Sequence, residues 1–331
     1  MMYAKSIQKI EGMYAKSIHK EDIRMINKIF AVDAGKFATK AMAGDERLMF
    51  RSNYTRIDES NSIPLEGCSF KVEIDNKTYI LGDMGEESDY SLEKQSVLHK
   101  MATYTAIAKL GGRDEVKVAV GCPVSIFKSD ENRKLYAEYM KEQPQMFKLD
   151  DVSIKIKIDK IVVLPEGSGP IYTDERFKNK RVAVIDLGGR NMNFTIYNNR
   201  LPQVSSMFTE NYGSMDIETL IKQQFDTKYR CSLEDKDVRA ILEQGGIKYK
   251  GQLEGQKHVK EILEGYVDKV LARVQKANFN LDTMDVVFTG GTSLLVEEEI
   301  KKRLSHAEVI KDAQWSNAEG FNKIVRSKFD V

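Results

Sequence analysis

Short apolar runs that stop at polar turns alternate along this chain with longer segments whose hydrophobic residues recur at helical spacing. The short runs predict strands, several of them paired as hairpins, at residues 29–41, 70–81, 115–120, 152–164, 181–198 and 284–288. The longer segments predict helices at residues 93–110, 130–139, 215–225, 233–244, 255–276 and 293–304, with a last helix after residue 321. Strands that alternate with helices in this way indicate an α/β fold.

The first hairpin ends its leading strand on Asp33, turns through Gly35 and returns as an apolar strand that carries Lys40. A glycine turn lets backbone N–H groups approach an anion, and a lysine adds a positive charge beside it. Asp33 could hold a hydrated Mg²⁺. The layout fits a loop that binds a phosphate tail, although a strand that ends in Asp-x-Gly also fits an ordinary turn.

The same pattern returns half the chain later. Residues 181–198 form a strand that ends on Asp186, a turn through Gly188 and Gly189, and a second strand. Two similar hairpins predict two related lobes, each of which offers a phosphate loop to one nucleotide. A third segment, 284–294, runs from a strand into a Gly-Gly turn that would let a flat base lie against bare backbone.

In this order and spacing, the three segments resemble the actin-like ATPases, the superfamily that also holds sugar kinases and heat-shock-type chaperones. The resemblance spans residues 27–331. Within the superfamily the chain looks most like the bacterial plasmid-segregation actins of the ParM or StbA group. That likeness rests on Val120-Gly-Cys-Pro-Val124, Val163-Leu-Pro165-Glu166-Gly167 and Asp186-Leu-Gly-Gly-Arg190.

The resemblance implies an actin-like ATPase fold, in which two related lobes with ribonuclease H-like βββαβα cores surround a nucleotide cleft. The implied divisions are lobe I at 27–164, with a small subdomain inserted at about 45–92, lobe II at 165–312, and a C-terminal return to lobe I at 313–331. Residues 1–26 are predicted to form a leader. It repeats Met-Tyr-Ala-Lys-Ser-Ile, and it fits either a poorly ordered terminus or a basic amphipathic helix.

The resemblance also implies roles for individual residues. Glu166 would orient the water that attacks the γ-phosphate, with Asp186 as its catalytic partner, and Asp33 and Asp186 would position Mg²⁺ through water. Without the resemblance, Glu166 fits a helix residue of the first turn. Nucleotide contacts are expected from Asp33, Gly35, Lys36, Phe37, Thr39, Lys40, Gly188, Gly189, Arg190, Asn191, Gly213, Ser214, Gly290, Gly291 and Thr292.

Two positions depart from the group's pattern, and one helix start is predicted beside the nucleoside. Asn193 stands where the group usually has an aspartate, which weakens the case for metal binding there. Lys36 adds a charge inside the first loop. Ser214 is predicted to cap the helix 215–225, which would bring Glu218 and Lys222 near the ribose or base.

Composition narrows the function classes. The chain has 331 residues, 41% of them hydrophobic and 31% charged, and no apolar run approaches the length of a membrane span. A net charge of +1 gives no polybasic surface for DNA, so an adaptor would have to carry any DNA. The three dispersed cysteines suit a reducing cytoplasm. No P-loop motif occurs, and all four histidines lie outside the motifs.

The predicted function is therefore nucleotide-dependent assembly into actin-like filaments that segregate plasmid DNA. Hydrolysis of ATP, or of GTP as the alternative, would destabilise the filament, with Mg²⁺ as cofactor. The expected partners are further copies of the chain and a DNA-binding adaptor of the ParR kind. Direct contact with nucleic acid or membrane is not expected. The alternative is an actin-fold ATPase that does not polymerise, either a small-molecule kinase or a chaperone-like regulator.

Overall fold

The structure is a computed structural model that describes residues 28–58, 64–87, 95–142, 144 and 146–329. The predicted leader at 1–26 lies outside the described residues. The strands are β1 (Ile29–Ala34), β2 (Ala38–Ala43), β3 (Glu46–Arg51), β4 (Tyr54–Ile57), β5 (Ser69–Ile74), β6 (Lys77–Gly82), β7 (Asp114–Cys122), β8 (Phe147–Leu149), β9 (Val152–Ser153), β10 (Ile156–Pro165), β11 (Arg181–Leu187), β12 (Met192–Asn198), β13 (Leu201–Pro202), β14 (Phe208–Glu210), β15 (Ile247–Tyr249), β16 (Gln252–Glu254), β17 (Asp285–Thr289) and β18 (Glu308–Val309).

The described helices fall between these strands and after them. They are α1 (Val97–Lys109), α2 (Val124–Phe127), α3 (Asp130–Lys141), α4 (Gly169–Thr173), α5 (Ser214–Tyr229), α6 (Asp235–Gln244), α7 (Gln256–Lys276), α8 (Gly291–Leu295), α9 (Glu297–Arg303) and α10 (Ser316–Phe329). None of the helices in the described part of the chain combines the length and the apolar character needed to cross a membrane.

Two principal sheets follow the same plan, which confirms the predicted α/β class. The first has the order β10-β7-β1-β2-β3, with β1 to β3 antiparallel and β7 and β10 parallel to β1. The second has the order β13-β12-β11-β17-β18, with β14 also on β12. In it, β11 and β12 form the antiparallel hairpin, and β17 and β18 add in parallel. We call the halves built on these sheets the first and second lobes.

A third, smaller sheet lies in the first lobe, in the order β4-β6-β5-β8-β9. Strands β5 and β6 form the predicted hairpin across the turn at 75–76. Strand β3 pairs instead with β2 in the first principal sheet, and β8 joins β5 from much later in the chain. The small sheet is thus assembled from two separate segments of the chain.

Buried stripes hold the long helices to the sheets. In α7, helical spacing predicts a core stripe of Val259, Ile262, Leu263, Tyr266, Val267, Val270, Leu271 and Val274, and all of these are buried except Leu263 and Leu271, which are partly buried. In α1, Met101, Tyr104 and Ile107 are buried as predicted, but Val97 is 46% exposed. The difference arises because α1 begins at Val97, with Ser96 as its N-cap, so the first turn lies at the edge of the core.

Three local predictions are corrected. Ser214 does not cap α5 but is its first residue, because Gly213 is the N-cap and donates its N–H to the Asp216 carboxylate at 3.2 Å. The single helix predicted at 293–304 is two short helices, α8 and α9, and the fully buried Val296 lies at the break. The segment 316–321 is already part of the last helix, α10.

The last helix crosses back over the first sheet. Phe321 and Val325 of α10 are fully buried against Ala31, Ala119 and Leu164. At the crossing of α10 with α4, Gly320 lies so close to Gly169 that a β-carbon on Gly320 would be 2.5 Å from the Cα atom of Gly169. The two segments that connect the lobes are thus packed backbone to backbone.

We expect Gly320→Ala to lower the free energy of unfolding by about 1–3 kcal/mol, because the added methyl group meets backbone that cannot move aside. The matched control is Gly265→Ala in α7, where a β-carbon would meet nothing within 4 Å. That change should raise stability by up to about 1 kcal/mol through helix propensity. Urea unfolding followed by circular dichroism measures both. Equal effects of the two substitutions would contradict the close crossing.

Candidate active site

The first predicted loop lies at the tip of the β1–β2 hairpin. Asp33 pairs with Lys40 and Ala34 with Thr39 across the two strands, and Asp33 and Lys36 are both buried. The Gly35 N–H donates to the carbonyl oxygen of Asp33 at 3.0 Å, which closes the turn. Thr39 is the exception among the predicted contacts, because its fully buried hydroxyl shares a 2.9 Å hydrogen bond with Ser52 rather than facing the loop.

The second loop lies at the tip of the β11–β12 hairpin and is held from behind. Asp186 pairs with Asn193, and the Gly188 N–H donates to the Asn191 carbonyl at 2.9 Å. The Gly188 carbonyl accepts hydrogen bonds from the Ser214 N–H at 3.2 Å and from the Thr292 hydroxyl at 2.7 Å. Predicted residues of three separate segments therefore meet at this loop, where Ser214 and Thr292 support the Gly188 carbonyl.

The two loops touch each other. A β-carbon on Gly189 would overlap the β-carbon of Phe37, so only a glycine allows this approach. The guanidinium of Arg51, at the end of β3, lies 3.6 Å from the centre of the Phe37 ring, a cation–π contact. The hairpin tips of the two lobes thus face one another across a narrow gap.

Three buried carboxylates lie beside the loops, on Asp33, Glu166 and Asp186. Burial, together with the negative charges of Glu166 and Asp33, raises the pKa of Asp186 to about 7. The Asn317 amide, which donates to Asp186 Oδ2 at 3.2 Å, and the Lys40 ammonium oppose the rise in pKa.

Gly290 lies directly against the Asp186 carboxylate. Its φ is +83°, and any β-carbon there would overlap Asp186 Oδ1. Gly290 is also the N-cap of α8, so the start of that helix, with Gly291 and Thr292, lies directly against the end of β11. The Gly-Gly segment is therefore in the same cluster as the two hairpins.

Glu166 stands at the first connection between the lobes. Its N–H donates to the Cys122 carbonyl at 2.9 Å, and its Oε2 accepts the Asn193 amide at 2.8 Å and the Asn191 amide at 3.5 Å. Helix α4 begins only at Gly169, so Glu166 is not a residue of the first helical turn. Its carboxylate is held in place by side chains of the second lobe.

A pocket opens at the mouth of the cleft, between β3 and the first loop on one side and α5 and α6 on the other. Its lining includes Lys36, Phe37, Arg51, Asn53, Met215, Glu218, Thr219, Lys222, Asp235 and Val238. Burial raises the pKa of Glu218, and the positive charges of Arg51 and Arg239 oppose the rise. No local pattern points to Arg51 or Asn53, because only tertiary packing brings the end of β3 to the cleft.

The donors available for a metal ion are few and lie apart. Within 28–329, the described residues contain no group of three or more His, Cys, Asp or Glu side chains that could hold a metal directly. Asn193 offers no free oxygen, since its carbonyl already accepts the Val124 N–H and the Thr209 hydroxyl. A hydrated cation fits the site better. Burial and the negative charges of Glu166 and Asp33 raise the pKa of Asp186, and a positive charge among the three carboxylates would relieve that repulsion.

Two protein families match the chain, one in each half. Residues 31–169 match the N-terminal domain of actin-like proteins, and residues 184–302 match the C-terminal domain of the archaeal MreB-like actin homologues. A comparison with curated protein sequences gives no match.

Solved structures share the fold over almost the whole chain. The structure of the Alp12 filament is 26% identical, with 92% of this chain and 100% of that one covered and a TM-score of 0.66. An archaeal actin homologue in complex with ADP is 16% identical, with coverage of 91% and 99% and a TM-score of 0.74. The subunit of a 15-stranded ParM filament from Clostridium botulinum is 17% identical, with coverage of 92% and 100% and a TM-score of 0.75.

These matches confirm the predicted fold, with its two related lobes around a cleft. Both halves of the sequence carry actin-like domains, and the hairpin tips meet between the lobes as such a cleft requires. The chain belongs to the actin-like ATPase superfamily, and its solved neighbours are homologues of the ParM and Alp type.

Proposed function

We propose that the chain binds a magnesium nucleotide between its lobes, hydrolyses it and assembles into filaments whose lifetime is set by hydrolysis. The observation that carries this proposal is the meeting of two glycine loops beside three buried carboxylates, Asp33, Glu166 and Asp186. A phosphate tail is bound by backbone N–H donors and a positive charge. The glycine loops provide the donors, and Lys40 provides the charge. ADP in a solved neighbour of the same fold adds support.

In this proposal the loops bind the phosphates. The loops at 35–37 and 188–190 approach them from opposite lobes, and the N–H groups of Gly35 and Gly188 hold these loops in shape by donating to the Asp33 and Asn191 carbonyls. Lys40 supplies a positive charge from β2. Asp33 and Asp186 hold Mg²⁺ through water, and the ion neutralises charge on the phosphates. Gly290, Gly291 and Thr292 flank the nucleoside side, next to the start of α5.

Glu166 orients the attacking water. Transfer of a phosphoryl group to water needs little covalent help, but the water must be held in line with the bond that breaks. A buried carboxylate with a fixed orientation meets that need, and the Glu166 carboxylate has its Oε2 anchored by Asn193 at 2.8 Å. Its position at the connection between the lobes would link hydrolysis to their arrangement.

Self-assembly is supported by the solved neighbours that are filaments, the Alp12 filament and the ParM filament. We propose that the filament segregates plasmid DNA and that a ParR-like adaptor makes the contact with DNA, since a net charge of +1 provides no polybasic surface of its own. The three cysteines are all free, which is consistent with work in a reducing cytoplasm.

The first test is light scattering with pelleting of the purified chain in Mg-ATP, Mg-GTP, Mg-ADP and no nucleotide. We expect scattering to rise with one of the triphosphates and to decay as phosphate is released, because hydrolysis weakens contacts in the polymer. Hydrolysis without polymer at any protein concentration would refute filament formation and would favour the kinase or chaperone-like alternative. Absence of both would refute the proposal as a whole.

Glu166→Ala should bind nucleotide with little change in affinity but hydrolyse it about tenfold more slowly or worse, which would give long-lived filaments. The loss follows from removal of the group that aligns water, while the phosphate loops are untouched. The matched control is Glu131→Ala, an exposed glutamate on α3. Phosphate release and pelleting over time measure both variants. Normal turnover in Glu166→Ala would remove Glu166 from the mechanism.

Asp186→Asn should flatten the pH dependence of stability in the nucleotide-free protein. Because folding raises the pKa of Asp186 from 3.8 to about 7, its contribution to stability is full below pH 4 and is lost as pH rises through 7. Between pH 5 and pH 8 the loss is on the order of 3 kcal/mol. Urea unfolding at pH 5 and pH 8 measures it, with the exposed Asp282→Asn as control. The same pH dependence in wild type and Asp186→Asn would contradict the burial argument.

A further inference from the structure

Asn193 anchors Glu166 in the function proposed above, and its other contacts add a further role. It stands on β12 opposite Asp186 and is 3% exposed. Its side chain makes three hydrogen bonds to three different segments of the chain. An amide at this position both donates and accepts, whereas a carboxylate there could only accept.

The partners of the amide fix its orientation. The Asn193 carbonyl oxygen accepts the Val124 N–H at 3.1 Å and the Thr209 hydroxyl at 2.8 Å, which occupies both lone pairs. A backbone N–H can only donate, so the amide cannot be turned round without leaving the Val124 N–H facing an NH₂ group. The NH₂ group must therefore face Glu166, and it donates to Oε2 at 2.8 Å.

These bonds cross between the lobes. Val124 and Ser125 are the first residues of α2, which follows β7 of the first sheet. Their N–H groups donate to Asn193 and to the Thr209 hydroxyl, at 3.1 Å and 3.2 Å, and both acceptors belong to paired strands of the second lobe. Separation of α2 from β12 and β14 would remove the Val124 N–H from the Asn193 carbonyl. The Thr209 hydroxyl would remain, but a hydroxyl can accept as well as donate, so it would not by itself force the amide toward Glu166.

A carboxylate in place of the amide would have the opposite effect on Glu166. It could still accept from Val124 and Thr209, but it would direct a negative oxygen at Glu166 Oε2 in a cluster that already holds Asp33 and Asp186. Two carboxylates at that distance cannot both be charged without a large cost. The amide supplies a donor and adds no charge.

We propose that Asn193 is a positioning residue that holds the Glu166 carboxylate in its water-aligning orientation, and that it does so only while α2 of the first lobe is docked on β12 and β14 of the second. This inference rests on the proposed hydrolytic function. Through one side chain, the contact between the lobes is coupled to the orientation of the group that aligns water.

The decisive variant is Asn193→Asp, which keeps the shape and both acceptor roles but replaces the donor to Glu166 by a carboxylate oxygen. We expect kcat to fall about tenfold or more, with KM and nucleotide affinity changed less than about threefold, because the phosphate loops stay intact. Thr209→Val, which frees one lone pair of the Asn193 carbonyl, should lower kcat by a smaller factor. The control is Asn198→Asp, the same exchange at the exposed end of the same strand.

A double-mutant cycle separates positioning from general damage and serves even if Asn193→Asp does not fold. Asn193→Ala is made in wild type and in Glu166→Ala, and kcat is measured in all four proteins. A residue that acts through Glu166 lowers kcat in wild type and adds nothing once Glu166 is gone. If Asn193→Ala lowers kcat by the same factor in both backgrounds, or if Asn193→Asp keeps the wild-type kcat, the inference is overturned while the proposed function stands. A wild-type protein that hydrolyses neither ATP nor GTP would overturn the proposed function, and the inference with it.

Discussion

Electrostatic repulsion among three buried carboxylates is the constraint on which the cleft depends. Asp33, Glu166 and Asp186 come from the first lobe, the connection and the second lobe, and folding brings them together out of water. The cost appears in Asp186, whose pKa rises to about 7. Such a cluster lowers the stability of the folded protein. It is useful in a protein that binds a cation together with a polyanion.

Neutral amides carry most of the compensation. Asn317 accepts the Gly167 N–H at 2.9 Å and donates to Asp186 at 3.2 Å, and Asn193 donates to Glu166. An amide that bonds a carboxylate stabilises its charged form without adding a counter-charge that would compete with Mg²⁺. Lys40 is the nearby cation whose charge lowers the pKa of Asp186. The site thus keeps its carboxylates oriented while leaving room for positive charge from a ligand.

Sequence reasoning succeeded where the signal was local and failed where it was tertiary. Asp33 and Gly35 predict a hairpin because the strand, the carboxylate and the glycine are contiguous in sequence. The same holds for Asp186 and Gly188. The hydroxyl of Thr39 pairs with Ser52, and the ring of Phe37 with Arg51, through a register that no local pattern encodes. The break at Val296 was missed for the same reason. A buried side chain decides the path of the chain there, and helical spacing continues across it.

At each of the two connections between the lobes, an asparagine amide is hydrogen-bonded to one of the buried carboxylates. The arrangement of the lobes is thereby linked mechanically to these carboxylates. Helix α10 packs on α4 through Gly320 and Gly169, and one turn earlier it presents Asn317 to both Gly167 and Asp186. Strand β10 ends at the residue before Glu166, which Asn193 ties to α2. A rotation of one lobe about these connections must therefore move Asp186 relative to Asn317, or Glu166 relative to Asn193. The relative position of the lobes and the orientation of Asp186 and Glu166 are therefore linked, because neither can change while all of these bonds persist.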